Sequence, residues 1–204
     1  MYTIELKNIS YSYGHNMVLK NIDMCFSKGK IHVVFGPSGS GKTTLLALIG
    51  GLDIPQEGCI LFENKDISTE IGLEHYRREN VSFIFQNYNL IEYLTALENV
   101  QLVSKDNAPY SFLESVGLSQ ADAKRNVLSL SGGEQQRVAI ARALASERDI
   151  ILADEPTGNL DSENAQVVLK ILCDAAKNHN KCVIVASHWD KFKEIADSVC
   201  ELSK

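Results

Sequence analysis

The chain has 204 residues, 45% of them apolar, so it can bury a substantial core and is long enough for one domain with a small additional lobe. Its net charge is −6, with 20 Lys and Arg against 26 Asp and Glu, and no long basic cluster indicates nucleic acid as a partner. It contains no stretch of about 18 apolar residues and no export pattern over residues 1–7, so we expect a cytoplasmic protein. The five cysteines form no C-x-x-C pair, which favours a reducing compartment over a disulfide or zinc framework.

The first predicted elements are two strands. Residues 3–7 and 18–26 alternate in short apolar and polar runs around a turn at residues 14–16, which predicts an antiparallel pair that is half exposed to solvent. Tyr11 and Tyr13 lie just before that turn. Either ring could pack within the strand or stack under an adenine base, and the sequence alone leaves both interpretations open.

A glycine-rich segment follows, between an apolar strand at residues 31–35 and an apolar helical pattern at residues 45–49. It fits G-x-x-x-x-G-K-[ST], in which glycines let successive backbone N–H groups converge on phosphate oxygens. A glycine-rich turn that binds nothing is the alternative, and the flanking strand and helix disfavour it. We expect Lys42 to reach the β- and γ-phosphates and Thr43 to offer its hydroxyl to Mg²⁺. The residues assigned to this phosphate loop are Gly36, Pro37, Ser38, Gly39, Ser40, Gly41, Lys42, Thr43 and Thr44.

Beyond a helix stop at residues 50–55, the pattern predicts a strand at residues 58–62, helical structure near residues 70–78 and a buried strand at residues 81–85. The buried strand ends at Gln86. Open α/β sheets bind ligands at the carboxyl ends of their strands, so Gln86 is a candidate site residue. A plain loop glutamine is the alternative.

The next segment, about residues 87–130, contains no strand run and predicts short helices at residues 96–103 and 110–116. Stretches rich in Ser, Asp, Asn and Pro join them. We interpret this segment as a helical lobe inserted into the sheet domain. Its role would be contact with another molecule, because it carries none of the phosphate chemistry.

A second anion-binding helix start is predicted at Ser131. Ser131 and Glu134 have the spacing of a capping box, in which the two side chains satisfy backbone N–H groups at a helix start. The box does not explain Gly132 and Gly133, because glycine weakens a helix by about 1 kcal/mol relative to alanine. Glycines at these positions expose the unpaired N–H groups of the helix start, so we expect them to bind an anion.

Two carboxylates end the next predicted strand. Residues 149–153 are mostly apolar, and Asp154 and Glu155 follow them directly. Beside a site for Mg²⁺ and phosphate, one carboxylate can hold the metal or its water while the other orients or deprotonates an attacking water. We prefer this interpretation to a solvated acidic turn.

His188 occupies the same kind of position. A helix predicted at residues 162–177 leads to a buried strand at residues 181–186, and His188 follows at the carboxyl end of that strand. A core histidine bonded to backbone is the alternative, but repeated polar residues at strand ends favour contact with a γ-phosphate. A last helix is predicted over residues 190–199.

Together these segments resemble the ATP-binding subunit of an ABC (ATP-binding cassette) transporter over essentially the whole chain. The narrowest evidence is Leu130-Ser131-Gly132-Gly133-Glu134-Gln135, which resembles the ABC signature. The resemblance implies an α/β fold: a P-loop NTPase core with a mostly parallel sheet, an N-terminal antiparallel β subdomain and the inserted helical subdomain.

The resemblance also implies a role for each candidate residue. These roles are Tyr13 as the ring that stacks on adenine, Gln86 as the Q-loop glutamine and a metal ligand, residues 150–154 as the Walker B strand with Asp154 on Mg²⁺, Glu155 as the catalytic base, Asp161 in the D-loop and His188 as the switch histidine. All the expected parts are present, which implies an active ATPase with ATP and Mg²⁺ as cofactors.

The family's mechanism implies two partners. Two such domains pack head to tail, so that Ser131, Gly132 and Gly133 of one chain close on the ATP held by Lys42 and Thr43 of the other. One domain in this sequence implies a homodimer. Hydrolysis would reopen the dimer and pass motion through Gln86 and the helical lobe to an integral-membrane permease, which would hold the chain peripherally on the inner face of the cell membrane.

Within the family, residues 85–91, 94–100 and 157–161 are similar to the subgroup of macrolide-exporter-type, lipoprotein-releasing and antimicrobial-peptide (bacteriocin) exporter ATPases. Two features depart from it: residues 101–129 are shorter than usual, and Trp189 stands where an acidic residue commonly follows the histidine. One alternative is a regulatory ABC ATPase that signals through a membrane partner without transport, as in cell division. Another is a soluble ABC ATPase of DNA repair or translation, but the sequence lacks their long coiled-coil inserts and basic surfaces.

Overall fold

The structure is a computed structural model that describes residues 3–104 and 108–203. Its strands and α-helices in chain order are β1 (Ile4–Tyr13), β2 (Asn16–Phe26), β3 (Lys30–Phe35), α1 (Lys42–Ile49), β4 (Glu57–Phe62), β5 (Lys65–Asp66), α2 (Leu73–Asn80), β6 (Val81–Ile84), α3 (Ala96–Gln101), α4 (Tyr110–Ser115), α5 (Gln120–Ala123), α6 (Gly132–Ala145), β7 (Ile150–Asp154), α7 (Ser162–Lys177), β8 (Cys182–Ser187), α8 (Lys191–Ile195) and β9 (Ser198–Glu201). A π-helical turn at Ile67–Ile71 and a 3₁₀ turn at Val127–Ser129 complete the description. Residues 1 and 2 of the N-terminal pattern and residues 105–107 of the predicted lobe lie outside the described residues.

Two sheets organise the chain. The first has the order β2-β1-β4-β5 and is antiparallel, and the second has the order β6-β7-β8-β3-β9 and is parallel throughout. The predicted fold class, a mostly parallel core with an N-terminal antiparallel subdomain, is therefore confirmed. Strand ends in the parallel sheet are aligned, because Phe35 lies opposite Ser187 and Asp154 lies opposite Ala186. Polar residues that follow these strands consequently meet at one edge.

The parallel sheet is covered on both faces. β7 and β8 form nearly continuous buried runs, as expected for strands that have helices on either side. On one face, Val34, Leu152 and Ile184 pack with the apolar residues of α1 and the antiparallel sheet. On the other face, the alternate residues pack with α6, α7 and the helices between β6 and α6. α1 and α6 therefore lie on opposite faces of the same sheet.

Several predicted helix ends agree with the structure. α7 begins and ends where the sequence predicts, and Asp161 caps it by accepting a hydrogen bond from Asn164 N at 2.8 Å. The capping box at Ser131 and Glu134 is formed at the start of α6. α3 and α4 are confirmed but end earlier than predicted, while the short α5 is additional. The bounds of the lobe at residues 87–130 stay a prediction.

The prediction of one helix over residues 190–199 is wrong. The chain forms only the short α8 and then β9, which pairs in parallel with β3. Asp197 redirects the chain, because its carboxylate accepts a hydrogen bond from Ile31 N at 2.8 Å and its own N–H donates to Ile31 O at 2.8 Å. Backbone bonding to the exposed edge of β3 therefore overrides the local helical pattern.

We predict that Gly50→Ala destabilises the fold. Gly50 ends α1, and a Cβ there would lie 2.0 Å from Phe83 Cζ and 2.9 Å from Leu152 Cδ1. Phe83 also stacks on Phe85 at 5.1 Å, which limits how far its ring can move. The expected loss is about 1–3 kcal/mol of unfolding free energy in a denaturant titration.

Gly158→Ala is the matched control for this substitution, because the nearest atom to its added Cβ would be Glu155 O at an ordinary 3.5 Å. An equal loss of stability in the two variants would contradict the packing argument.

Candidate active site

The phosphate loop leaves β3 at Phe35 and enters α1 at Lys42. Gly39 and Gly41 have φ angles of 79° and 92°, a left-handed conformation that glycine adopts without steric cost. A Cβ on Gly36 would lie 2.5 Å from Leu202 O, so the loop also packs closely against the chain after β9. Within residues 3–104 and 108–203, the buried hydroxyl of Ser40 has no hydrogen-bond partner. The loop thus holds a buried polar group that a bound phosphate could satisfy.

Lys42 is only 6% exposed, and its ammonium lies among three oxygens. Nζ donates to Gly36 O at 2.8 Å and Pro37 O at 3.2 Å, and it lies 3.2 Å from Oε1 of Glu155. A buried ammonium needs such partners to offset the loss of hydration. These contacts place the positive charge between the phosphate loop and the end of β7.

Asp154 and Thr43 form a candidate cation site. Thr43 Oγ1 donates to Asp154 Oδ2 at 2.8 Å, while the buried Oδ1 of Asp154 has no hydrogen-bond partner in the described parts of the chain. Burial raises the pKa of Asp154, against the opposing effect of the Thr43 hydrogen bond. A carboxylate oxygen and a hydroxyl are hard ligands of the kind that Mg²⁺ prefers, so these residues fit the ion.

The protein alone does not complete that site. Among the described residues, no group of three or more His, Cys, Asp or Glu side chains could hold a metal ion. Mg²⁺ commonly takes one or two protein ligands together with waters and substrate phosphates. The arrangement of Thr43 and Asp154 therefore fits an ion that arrives with a nucleotide.

Glu155 has a fixed position beside the phosphate loop. Its φ is 44°, a strained value for a residue with a side chain, and its N–H donates to Ala186 O at 2.9 Å. Its Oε1 lies 3.0 Å from His188 Nδ1, and its Oε2 accepts a longer bond of 3.4 Å from Ser187 Oγ. Sequence analysis did not single out Ser187, although a hydroxyl that ends a buried strand was an available signal.

His188 and Trp189 form the far wall of the site. The His188 side chain is 60% exposed, so one face of its imidazole remains open. The Trp189 indole packs edge-on against Phe192 at 5.7 Å. Both side chains line a pocket of about 290 Å³ together with Glu155. An aromatic wall therefore occupies the position where the family commonly has an acidic residue.

Gln86 and Tyr13 lie at the margins of the site. Gln86 is exposed, and its Nε2 would lie 3.6 Å from a Cβ on Gly158, in the turn after Glu155. Tyr13 is 58% exposed, with its hydroxyl 3.5 Å from Thr44 Oγ1. Tyr11 is buried and donates to Asp53 Oδ2 at 2.5 Å. Exposure therefore leaves Tyr13, rather than Tyr11, free to stack on a base.

Two predicted groups are not brought to this edge by direct contact with it. Ser131, Gly132 and Gly133 start α6, which packs on the face of the parallel sheet opposite to α1. The carboxylate of Asp161 accepts from the backbone N–H and the amide Nδ2 of Asn164, at 2.8 and 2.9 Å. In a single chain, the two glycine-rich helix starts are thus separated by the sheet.

Comparisons with known proteins support this interpretation of the site. The family model described as "ABC transporter" matches residues 19–158. The ABC transporter ATP-binding protein YclH of Bacillus subtilis (strain 168) is 39% identical over 215 residues, covering 100% of this chain and 95% of the relative. The lipoprotein-releasing system ATP-binding protein LolD of Bacteroides thetaiotaomicron is 38% identical over 206 residues, covering 95% and 94%. LolD lies in the subgroup that the sequence motifs predict.

A solved structure is similar over nearly the whole chain. The dimeric post-hydrolysis state of the ATP-binding cassette MJ0796, bound to ADP and Pi, has a TM-score of 0.87 and 35% identity, and it covers 98% of this chain and 94% of its own. MJ0796 is a protein of Methanocaldococcus jannaschii. In the described ranges of our chain, none of the helices is both long and apolar enough to cross a bilayer.

We predict that Asp154→Asn stabilises the nucleotide-free fold at neutral pH. Because burial raises the pKa of Asp154, the folded state keeps its proton when the unfolded chain loses it near the ordinary value of 3.8. Stability therefore falls as pH rises through that range, and the loss persists at pH 7. The amide carries no charge and can still accept from Thr43, so its gain should be larger at pH 7 than at pH 4.

Unfolding titrations of both proteins at the two pH values measure this difference. A variant that is less stable than its parent at pH 7 would contradict the assignment of a buried, partly unsatisfied carboxylate. ATP hydrolysis should nevertheless be lost, since the amide cannot replace the negative ligand of a cation.

Proposed function

The chain belongs to the ABC transporter family, and from this premise we propose that it is the ATP-hydrolysing subunit of an exporter whose membrane-spanning permease is a separate chain. The observation that carries the proposal is the meeting of Lys42, Asp154 and Glu155 at one sheet edge, through the contacts of Lys42 with Glu155 and of Thr43 with Asp154. The regulatory alternative without transport is less favoured, because LolD is named for a lipoprotein-releasing system.

The phosphate loop and Lys42 bind the triphosphate. Backbone N–H groups at the start of α1 and the Lys42 ammonium neutralise the β- and γ-phosphates, while Tyr13 stacks on the adenine. Thr43, Asp154 and Gln86 would hold Mg²⁺, which supplies charge stabilisation to the transferring phosphoryl group. His188, which contacts Glu155, is placed to touch the γ-phosphate.

Glu155 acts as the general base. Its carboxylate takes a proton from a water molecule whose oxygen forms a bond to the γ-phosphorus, while the bond from that phosphorus to the bridging oxygen of ADP breaks. The strained backbone and the hydrogen bond to Ala186 hold the carboxylate at the end of β7. His188 orients the same oxygen that contacts Lys42.

A second copy of the chain supplies the other anion site. Because the parallel sheet separates α1 from α6, we propose that Ser131, Gly132 and Gly133 contact the ATP bound by another copy in a head-to-tail dimer. Asp161 lies at the start of α7, beside α6, and faces the same interface in this arrangement. The dimeric state of the MJ0796 cassette supports this proposal by similarity.

The helical lobe is the proposed docking site for the permease. Three large apolar side chains in it are exposed: Tyr93 by 82%, Leu102 by 58% and Leu128 by 63%. Exposed apolar side chains of this size commonly mark interaction surfaces. The chain would lie peripherally on the cytoplasmic face of the membrane, and the cargo would belong to the classes that the subgroup exports: peptide, bacteriocin, lipoprotein or drug.

We predict that Glu155→Gln binds ATP but hydrolyses it at least about 100-fold more slowly, because the amide cannot accept the proton of water. With Mg²⁺ and ATP it should accumulate as a dimer in size-exclusion chromatography. Parental hydrolysis rates in this variant would remove Glu155 from the role of base.

Adding Ser131→Arg to the Glu155→Gln chain should preserve ATP binding within about twofold and keep the protein monomeric, since about 1.4 kcal/mol is needed for a tenfold change in affinity. Ser119→Arg is the matched control. Ser119 is the capping-box serine of α5, so its replacement costs a similar cap outside the proposed interface. A persistent dimer with Ser131→Arg, or an equal loss in both variants, would contradict the composite site.

We predict that Tyr93→Glu lowers the membrane-bound fraction of the chain in cells by roughly tenfold, as expected for loss of a central aromatic contact. Val199→Glu on β9 is the control, since Val199 is apolar and 40% exposed outside the lobe. Cell fractionation and nucleotide titration measure the two properties separately. Equal membrane binding by both variants, with ATP binding intact, would reject the lobe as the docking surface.

A further inference from the structure

Asn164 lies between the two segments that the proposed interface requires. It is the third residue of α7, and its side chain reaches both Asp161, before that helix, and Arg137 on α6. Its Nδ2 donates to Asp161 Oδ2 at 2.9 Å, and its Oδ1 accepts from Arg137 Nη1 at 2.5 Å. One amide therefore connects the start of α7 to the first turns of α6.

The same side chain occupies the space beside Gly133. A Cβ on that residue would lie 2.8 Å from Asn164 Cγ, 2.9 Å from its Oδ1 and 3.0 Å from its Nδ2. A Cβ on Gly132 would in turn lie 3.1 Å from the hydroxyl of Tyr88, on the opposite side of the turn. The glycine turn is thus enclosed by a side chain on each side.

Arg137 makes this connection sensitive to small changes. Its Nη1 is bonded to Asn164, but in the ranges that the structure describes its buried Nε has no hydrogen-bond partner. Losing Asn164 would leave a second polar group of the guanidinium unsatisfied next to the start of α6. Hydrogen bonds to charged groups contribute more than neutral ones, so that loss would be large enough to move the turn.

We infer that Asn164 is a positioning residue that sets the glycine turn of α6 relative to Asp161, and so shapes the surface that one copy presents to the ATP bound by another. This inference rests on the proposed two-copy site. Asn164 contacts neither the phosphate loop nor Glu155 through any of the bonds described above. It acts through Gly133 and Arg137, and it gives Gly133 a steric reason to be glycine.

The test uses the full chain with Glu155→Gln, which should dimerise with Mg²⁺ and ATP. Asn164→Ala keeps the backbone N–H that Asp161 caps, so α7 should still form. We expect ATP affinity, titrated at concentrations below dimerisation, to stay within about twofold of the parent, while the dimer dissociation constant rises about tenfold. In the chain that retains Glu155, kcat should fall by about the same factor with little change in nucleotide affinity.

Two further variants separate positioning from general structure. Gln166→Ala changes an exposed residue of the same helix and should dimerise like the parent. Gly133→Ala should block dimerisation, and adding Asn164→Ala should partly restore it by removing the atoms that the new Cβ meets. A merely structural role for Asn164 would make the double variant worse than Gly133→Ala.

The outcomes distinguish this inference from the proposed function. If the Glu155→Gln parent stays monomeric, the two-copy site fails and this inference fails with it. If the parent dimerises and Asn164→Ala dimerises equally well, only the positioning role is overturned. Failure of the double variant to recover any dimer would likewise overturn the steric explanation of Gly133.

Discussion

The parallel sheet is the constraint on which the site depends. β3, β6, β7 and β8 run in the same direction and end at one edge, so the residues that follow them meet although they are far apart in sequence. That alignment places Lys42 against Glu155, and Glu155 against His188. The buried charges tolerate this environment because each one contacts another member of the group. Chemistry at this edge follows from strand register as much as from the residues themselves.

The same sheet also limits what one chain can do. It places α1 on one face and α6 on the other, so the phosphate loop and the glycine turn of α6 cannot be neighbours through direct packing of their helices. A turn that exposes unpaired N–H groups, far from the chain's own phosphate loop, is explained if it binds the nucleotide of a second copy. The network of Arg137, Asn164 and Asp161 then makes that turn and the start of α7 one surface.

Local signals carried much of the prediction. The phosphate loop, the capping box at Ser131 and the extent of α7 depend on residues close in sequence, and the structure has them as predicted. β9 was missed because its pairing with β3 joins segments more than 150 residues apart, for example Ser198 with His32. The contact of Asn164 with Gly133 was missed for the same reason. Tyr11 and Tyr13 could be separated only by burial, since both are tyrosines on one strand.

A mixing experiment tests the composite site most directly. Lys42→Ala destroys the phosphate loop of one chain and Ser131→Arg destroys the glycine turn of another, so each variant alone should form no complete site. A mixed dimer pairs the intact loop of one with the intact turn of the other. The account predicts that ATP hydrolysis reappears when the two inactive variants are combined. A mixture as inactive as its components, despite mixed dimers detected by cross-linking, would contradict it.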